Sequence, residues 1–253
     1  MEWILLFVAG VLGGVLNSVA GGGSFITFPT LLFVGVPPIS ANATNTFAVC
    51  AGYISGAYGF KQEISQTKQI GSIILWSLVG GGLGAYFLLT IDESAFLESI
   101  PWLLLFATAL FLCGQHINQF FVRFARRSTI SPIWAKLSLA ICLVLVCAYG
   151  GFFNAGLGVV ILSYLVLAGY SNINQMNGIK LLVSSCVSII AIVLFVANGA
   201  VDWQRGFVVM LGTLAGGYVA ARVSRNIAQH HIKNFVALSS IGMTCYFFWA
   251  TYA

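Results

Sequence analysis

The sequence predicts an all-α integral membrane protein with two inverted-topology repeats, and three observations lead to this fold class. Hydrophobic residues make up 59% of the 253 residues and charged residues 7%, whereas soluble domains contain about 25% charged residues. Apolar runs of about 20 residues, the length at which a helix crosses a bilayer, recur along the chain. Two shorter apolar stretches also occupy matching places in the two halves.

Eight long apolar segments are predicted to be transmembrane helices because each approaches the length that spans a bilayer. They are Trp3–Val19, Ala43–Phe60, Gln69–Thr90, Ile100–Phe121, Lys136–Phe153, Gly178–Asn198, Arg205–Arg222 and Phe235–Ala253. No basic n-region precedes the first segment, so we expect it to be kept as a spanning helix. Because no hydrophilic block is large enough to fold alone, residues 1–253 are predicted to form a single membrane domain.

The two short apolar segments are Phe25–Val36 and Leu157–Gly169. Neither is long enough to cross a bilayer comfortably, and each follows a Gly-rich break and precedes a polar, Asn-rich break. Paired interruptions of this kind are typical of the binding sites of transporters built from inverted repeats. We therefore expect two interrupted or re-entrant segments beside a ligand site.

The basic residues of the loops orient the membrane domain. Most Lys and Arg residues fall around residues 61–68, 123–136 and 222–233, and the positive-inside rule places these loops in the cytoplasm. The acidic loop at residues 92–98 contains no Lys or Arg and is expected on the outer side. Helix counting then puts both termini on the extracytoplasmic side. Each half makes an odd number of crossings, so the second half is expected to be inverted.

Weak internal similarity predicts a duplication, with residues 1–127 as the first repeat and residues 128–253 as the second. The matching stretches are Gly13–Asn17 with Gly150–Asn154, Leu31–Gly35 with Leu165–Gly169, Gln69 with Gln204, and Ser77-x-x-x-Gly81 with Gly212-x-x-x-Gly216. The spacing between partners is constant from Gln69 onward. Extended backward, this spacing places Asn45 opposite Lys180.

The first break contains three consecutive glycines followed by Ser24. Glycines inside lipid would expose backbone groups that only protein or a water-filled cavity can satisfy. A helix that begins at Ser24 would aim free N–H groups at this place and form an anion site, although a simple kink is an alternative. The predicted substrate-binding residues are Asn17, Gly21, Gly22, Gly23, Ser24, Thr44, Asn45, Asn154, Gly156, Asn177 and Lys180.

Lys180 is the most informative of these residues. An ammonium group at the centre of a spanning segment costs at least about 2.5 kcal/mol, so it is expected to face a partner or a cavity. No acidic residue lies within the predicted spans to pair with it. An unpaired cation favours an anionic substrate. The alternative is that Lys180 extends to the membrane surface, because it lies only a few residues into its helix.

No pattern in the chain predicts catalysis. The sequence contains no nucleophile elbow, zinc-protease, phosphate-loop or dinucleotide-binding motif. Its six cysteines lie in apolar segments without pairing or metal-ligand spacing, which is typical of buried packing residues. We therefore predict no catalytic residue, no metal and no cofactor, and we do not expect an enzyme.

The first half contains three successive motifs, Asn17-x-x-Ala20-Gly21-Gly22-Gly23, then Pro29-x-Leu31-Leu32-x-x-Gly35-x-Pro37, then Ala41-x-Ala43-Thr44-Asn45. These motifs resemble the sulfite exporter TauE/SafE family of membrane permeases. The second half resembles the family's second repeat in layout, but it has only Asn154-Ala155-Gly156-Leu157-Gly158 where the family usually carries another Gly-rich run. The resemblance implies movement of sulfite, sulfonates, thiosulfate or related organic anions across the bacterial inner membrane.

We expect from these patterns a secondary transporter that works by alternating access, with the halves rocking around the site. The main alternative is a re-entrant-loop channel for a small anion or neutral solute, and a structural or assembly subunit is another. The expected partners are a small anionic substrate and the lipid bilayer, and not nucleic acid, because the basic residues serve to orient the helices. The sequence leaves open the direction of transport, the coupling ion and whether the chain forms a homodimer.

Overall fold

The described part of the chain forms eleven helices and no strand, which confirms the predicted all-α fold. The computed structural model describes residues 1–19, 21–67, 69–125, 132–223 and 229–252. The helices are α1 (Glu2–Val19), α2 (Ser24–Phe33), α3 (Pro38–Gly59), α4 (Lys61–Ser65), α5 (Ile70–Thr90), α6 (Glu93–Ala125), α7 (Pro132–Phe152), α8 (Leu157–Leu167), α9 (Ile173–Ala197), α10 (Trp203–Val223) and α11 (Gln229–Tyr252).

Three helices of the described part are long and apolar enough to cross a membrane by length and composition. They are α5, the first 21 residues of α6 and α9. The short helices α2 and α8 have 10 and 11 residues. At 1.5 Å per residue each is roughly 15 Å long, about half of the hydrocarbon thickness. The prediction that the remaining long segments also span the membrane stays a prediction.

α3 and α9 each begin five residues earlier than predicted, and their first turns contain polar residues. α3 begins at Pro38 rather than at Ala43, with proline at a first-turn position that needs no N–H donor. α9 begins at Ile173 rather than at Gly178. The Asn172 side chain caps this helix by accepting hydrogen bonds from the Asn174 and Gln175 amides. The predicted Asn-rich breaks are therefore mostly helical, and only short turns separate the paired helices.

Other differences from the predicted segments concern α6, α11 and α4. α11 begins at Gln229 instead of Phe235. α6 begins at Glu93 instead of Ile100, and Pro101 lies within it. The polar first turns of α6 lack the continuous apolar character by which spans are recognised in sequence. α4 is a five-residue helix in a stretch that was expected to be a loop.

The turns that follow the two short helices have the same backbone geometry. Gly35 and Gly169 have left-handed φ angles of 83° and 90°, and each donates to a carbonyl in the last turn of the preceding helix. This arrangement is a helix C-terminal motif that requires glycine. At the first turn, Ser40 of α3 donates to the Ala200 carbonyl that precedes α10.

The helix contacts of the first half recur in the second half. α1 packs on α10 and α7 packs on α5, while α3 packs on α10 and α9 packs on α5. α2 contacts α11 and α8 contacts α6, and the pairs α3 with α9 and α6 with α11 join the halves. The two patterns coincide when α1, α2, α3, α5 and α6 correspond to α7, α8, α9, α10 and α11. The main contacts of α5 and α10 are thus with the opposite half of the chain.

Glycines bring the helix backbones of the α1/α10 and α5/α7 pairs into contact. A Cβ atom at Gly14 would overlap the backbone of α10, and one at Gly216 would overlap the backbone of α1. In the second pair, Gly84 faces the backbone of α7 and Gly151 faces the backbone of α5 in the same way. These are small-residue interfaces of the type that holds membrane helices together.

The same contacts correct the predicted register of the repeat. A Cβ atom at Gly212 would overlap the Phe7 carbonyl oxygen, and one at Gly80 would lie 2.5 Å from the Val144 carbonyl oxygen. Phe7 and Val144 occupy the same position in the two aligned first helices. Gly212 therefore corresponds to Gly80, and its predicted pairing with Ser77 is wrong by nearly one helical turn. Small residues recur so often on these faces that sequence matching could not fix the register.

Contacts between distant residues show which helix ends lie together. At one end of the bundle, here called the first end, Arg205 of α10 is ion-paired with Glu2 of α1. At the opposite or second end, Gln175 of α9 donates to Thr67 at 3.1 Å, and Lys136 of α7 lines a cavity together with Thr67. α1 therefore begins at the first end and α7 begins at the second end.

Several basic residues used to predict the orientation lie outside the described residues. They are Lys68, Arg126, Arg127 and Arg225, and Ala20 of the first break and Ala253 at the end of the last predicted span also lie outside them. The assignment of the second end to the cytoplasm stays a prediction.

Candidate ligand site at the two helix breaks

The first break lies between α1 and α2. Gly21 has a left-handed φ of 78°, and its N–H donates to the Leu16 carbonyl at 3.0 Å. α2 begins at Ser24, as predicted. A Cβ atom at Gly23 would overlap the Gly13 carbonyl of α1 and approach the Asn17 side chain. Glycine at position 23 thus allows α2 to fold back along α1.

The second break, between α7 and α8, repeats this geometry with different residues. Gly156 also has a φ of 78°, and the Tyr149 hydroxyl donates to the Ala155 carbonyl at 2.7 Å. A Cβ atom at Gly156 would lie 2.8 Å from the Cβ of Ala107 on α6 and 3.7 Å from the ring of Phe25. The predicted site residue Gly156 therefore shapes the break and packs on α6.

The two breaks touch each other in the interior of the bundle. A Cβ atom at Gly21 would lie 3.7 Å from the Cα of Gly158, the second residue of α8. The N–H groups of Gly22, Ser24 and Gly158 have no hydrogen-bond acceptor among the described residues. Neither short helix has a side-chain cap at its start. Two adjacent helix starts whose first amides lack an acceptor among the residues that the structure describes favour an anionic ligand.

Lys180 of α9 lies at the same junction. Its side chain is 5% exposed, and its Cδ would be 3.4 Å from a Cβ atom at Gly158. Its Nζ donates to the Asn177 side chain at 3.2 Å. Lys180 forms no ion pair with any described residue. The burial argues against the alternative that this side chain extends to the membrane surface.

Three hydroxyl and amide side chains form a buried cluster beside the first break. Asn45 of α3 donates to the Ser24 hydroxyl at 3.1 Å and accepts a hydrogen bond from the Thr27 hydroxyl. All three side chains are at most 2% exposed. Ser24 and Asn45 were predicted, whereas Thr27 was missed. Its position one turn after Ser24 on the same helix face was the available signal.

A second hydrogen-bonded chain connects the two halves. The Tyr53 hydroxyl of α3 donates to Asn154 at 2.9 Å, and Asn154 donates to the Ser188 hydroxyl of α9 at 3.4 Å. Tyr53 also lies beside Asn17 and Ser24, so it links this chain to the first cluster. Tyr53 and Ser188 were missed, because a tyrosine and a serine in apolar segments resemble ordinary packing residues.

Two predicted site residues have other roles. Thr44 is buried, and its hydroxyl accepts a hydrogen bond from the Asp202 amide at 2.9 Å, so it joins α3 to the segment before α10. Asn17 is half-buried and accepts from the Gly23 amide at 3.4 Å. Thus Asn17 holds the break, whereas Thr44 faces away from it.

The site is enclosed by protein. Ser24, Asn45, Asn154 and Lys180 are all buried, and two cavities found in the described part lie elsewhere. One, of about 360 Å³, is at the first end between α2, α6 and α11. The other, of about 800 Å³, is at the second end between α5, α7 and α8. A ligand would reach the breaks only after the helices move.

Comparison with known proteins gives a family match and several relatives. A family model described as sulfite exporter TauE/SafE matches residues 6–247. A probable membrane transporter protein of Haemophilus influenzae is 27% identical over 95% of this chain and 92% of that protein. The probable membrane transporter protein YfcA of Escherichia coli (strain K12) is 26% identical over 95% of this chain and 87% of the relative.

A third relative is the probable membrane transporter protein ORF9 of Sinorhizobium sp, which is 31% identical over 94% of this chain and 89% of that protein. No solved structure matches the chain. The similarity to these membrane transporters extends over nearly the full length of both partners, so it includes both helix breaks.

Proposed function

The chain belongs to the sulfite exporter TauE/SafE family, and on this premise we propose that it is a secondary transporter for sulfite, a sulfonate or a related small sulfur-containing anion. The names of its relatives support the coarser statement that it is a membrane transporter and not an enzyme. The substrate class and the mechanism are our proposals, and they rest on the chemistry of the two breaks.

The proposed architecture is a pair of inverted repeats, residues 1–127 and 128–253. The recurrence of helix contacts supports the duplication. The inversion is supported by the starts of the equivalent helices α1 and α7, which lie at opposite ends of the bundle. A substrate site near the middle, at interrupted helices, is typical of transporters of this type.

The observation that carries the proposal is the place of Lys180. It is a buried cation without a carboxylate partner among the described residues, and it lies against the point where the two broken helices meet. A charge in that position is costly unless a counter-charge joins it. A sulfur oxyanion would supply the negative charge and several acceptor oxygens for the amides at positions 22, 24 and 158, which have no acceptor within the described part of the chain.

Alternating access would open this enclosed site to one side of the membrane at a time. The glycine contacts bring the helix backbones of α1/α10 and α5/α7 close together, so we expect each pair to move as a unit. We propose that one moving body is α1, α3 and α10, that the other is α5, α7 and α9, and that they hinge at the α3/α9 contact. Hydrogen bonds between the bodies, such as that of Tyr53 with Asn154, would break and re-form during transport.

We further propose that the protein lies in the bacterial inner membrane with both termini on the extracytoplasmic side. The second end, with Lys61 and Lys136, would then face the cytoplasm. The small anion and the lipid bilayer are the proposed partners, and a homodimer is compatible with this arrangement.

Replacement of Lys180 by glutamine tests the proposed substrate charge. We expect Lys180→Gln to weaken sulfite or sulfonate binding roughly 10- to 100-fold, because a hydrogen bond to a charged group contributes about 1.5–3 kcal/mol. Binding is measured on purified protein by ligand-induced thermal stabilisation, and transport is measured in proteoliposomes. Lys61→Gln is the matched control, since Lys61 is exposed and lies over the Tyr58 ring.

Equal anion binding by the Lys180→Gln variant and the unmodified protein would remove Lys180 from the site. The kinetics of transport also separate the proposed carrier from the re-entrant-loop channel. A carrier saturates with substrate, whereas flux that rises linearly with anion concentration would support the channel. Two short helices that meet at their starts are compatible with either protein class, so this measurement decides between them.

A further inference from the structure

The larger cavity, at the second end, is distinct from the ligand site at the breaks. It has a volume of about 800 Å³, within the range of small-molecule sites. Its walls are the first turns of α5 and α7, the last turn of α8 and the turn that follows α8. None of the predicted substrate-binding residues lines it.

This cavity exists because α5 and α7 separate toward their starts. Farther along, the two helices touch through Gly80, Gly84 and Gly151. In the equivalent pair, the start of α10 is held to the start of α1 by the ion pair of Arg205 with Glu2. The α5/α7 pair carries apolar residues at the corresponding positions and has an opening there.

The residues that line the cavity divide into a polar rim and an apolar floor. The rim consists of Gln66, Thr67, Gln69, Ser72, Lys136 and Gln175. The floor includes Ile73, Leu139, Leu143 and Tyr164. No lining residue is acidic, so the Lys136 ammonium gives the rim a net positive charge.

The cavity opens to the outside of the helix bundle. Trp76 and Leu137 are large apolar lining residues that are 37% and 47% exposed, which is expected for side chains in contact with lipid. Tryptophan and lysine near helix ends are typical of the membrane–water interface. The rim therefore lies at the level of lipid head groups and the floor at the level of acyl chains.

We infer that this cavity binds an anionic phospholipid, with the phosphate group at Lys136 and one acyl chain along the apolar floor. The amides and hydroxyls of the rim would donate to the phosphate and ester oxygens. Basic pockets between membrane helices on the cytoplasmic side are suited to such head groups. A free inorganic anion would satisfy the rim but would leave the floor without a partner.

Native mass spectrometry of the purified full-length protein tests this inference. The probes are phosphatidylglycerol and phosphatidylcholine with identical acyl chains. We expect selective retention of phosphatidylglycerol, and we expect Lys136→Gln to lower that retention about fivefold, as the loss of one interfacial cation predicts. Lys61→Gln, which removes an exposed lysine that does not line the cavity, is expected to have no effect.

A second pair of variants tests the floor. Ala140 lines the cavity, whereas its neighbour Ile141 is exposed and does not. Ala140→Trp is expected to fill the cavity and abolish selective retention, and Ile141→Trp is expected to leave it intact. Equal phosphatidylglycerol retention in all four variants would overturn the inference. Displacement of the lipid by inorganic phosphate alone would assign the cavity to a free anion and overturn the lipid as its occupant.

Discussion

At the scale of single residues, Tyr53 and Asn154 form the most informative contact, because one hydrogen bond joins the two halves beside both breaks. The Tyr53 hydroxyl donates to Asn154 at 2.9 Å, and the Asn154 side chain is 1% exposed. An amide that loses its partner in this environment would remain unsatisfied. The contact therefore stabilises the enclosed state of the site.

A double-mutant cycle with Tyr53→Phe and Asn154→Leu measures this hydrogen bond. Hydrogen bonds between membrane helices contribute about 0.6 kcal/mol on average and up to about 1.7 kcal/mol, so we expect a coupling energy in that range. Unfolding in detergent, followed by circular dichroism, provides the free energies. Tyr246→Phe on α11, an exposed tyrosine, is the control. A coupling energy of zero would show that the hydroxyl and the amide act independently.

At this scale, the site residues that could be predicted from the sequence are those whose chemistry is unusual for a membrane helix. Lys180 was predicted because a cation in an apolar segment is costly wherever it lies. Thr27, Tyr53 and Ser188 escaped notice because hydroxyl groups are common in membrane helices, and only the folded chain shows which of them meet. Thr44 illustrates the converse, since a polar residue beside the site turned out to bind the Asp202 amide of another segment.

At the scale of helices, the glycine faces of α5 and α7 determine how the bundle packs. A Cβ atom at Gly84 would overlap the Ala148 carbonyl oxygen and approach the Phe152 amide at 2.8 Å. These are backbone atoms, which cannot move aside as the end of a flexible side chain could. Even a single methyl group must push the two helices apart.

We expect Gly84→Ala to destabilise the protein by about 1–3 kcal/mol, the usual cost of overpacking. Gly71→Ala on the same helix is the control, because a Cβ atom there would meet nothing within 4 Å. That change should be neutral or slightly stabilising, since alanine favours the helix over glycine. The midpoints of thermal unfolding in one detergent compare the two variants. Similar midpoints for both would show that the helices tolerate separation.

The element boundaries show where sequence patterns are informative for such a chain. Long apolar runs located α1, α5 and α7 within a few residues, and the short segments α2 and α8 were also recognised. The starts of α3, α6, α9 and α11 were missed because their first turns contain polar residues, and an apolar run does not reveal a helix that extends beyond it. The repeat register was missed by nearly one turn for a similar reason, since glycines recur at that spacing.

At the scale of the whole molecule, the two halves are interlocked. α5 belongs to the first half but packs on α7 and α9 of the second half. α10 belongs to the second half but packs on α1 and α3 of the first half. Rocking of one covalent half against the other would pull these helix pairs apart. The rigid bodies proposed here each contain one helix from the opposite half, which keeps the close contacts intact.

Expression of residues 1–127 and 128–253 as separate chains tests this interlocking. We expect the two fragments to co-purify when produced together, because each supplies a packing surface that the other lacks. Each fragment alone should be sensitive to proteolysis in detergent. The measurement is recovery of the untagged fragment with the tagged one. Fragments that resist proteolysis singly and fail to associate would contradict the packing of α5 and α10 on the opposite half of the chain.

The packing of α10 on α1 also has a consequence for biosynthesis. α1 leaves the ribosome first, but the helix that covers its glycine face, α10, begins only at Trp203. At 5–20 residues per second, the wait is on the order of ten to forty seconds. Throughout that interval the face around Gly10 and Gly14 has only lipid or the insertion machinery beside it. A nascent chain of this design reaches its native packing only after α10 has emerged, and termination before that point leaves α1 unpaired.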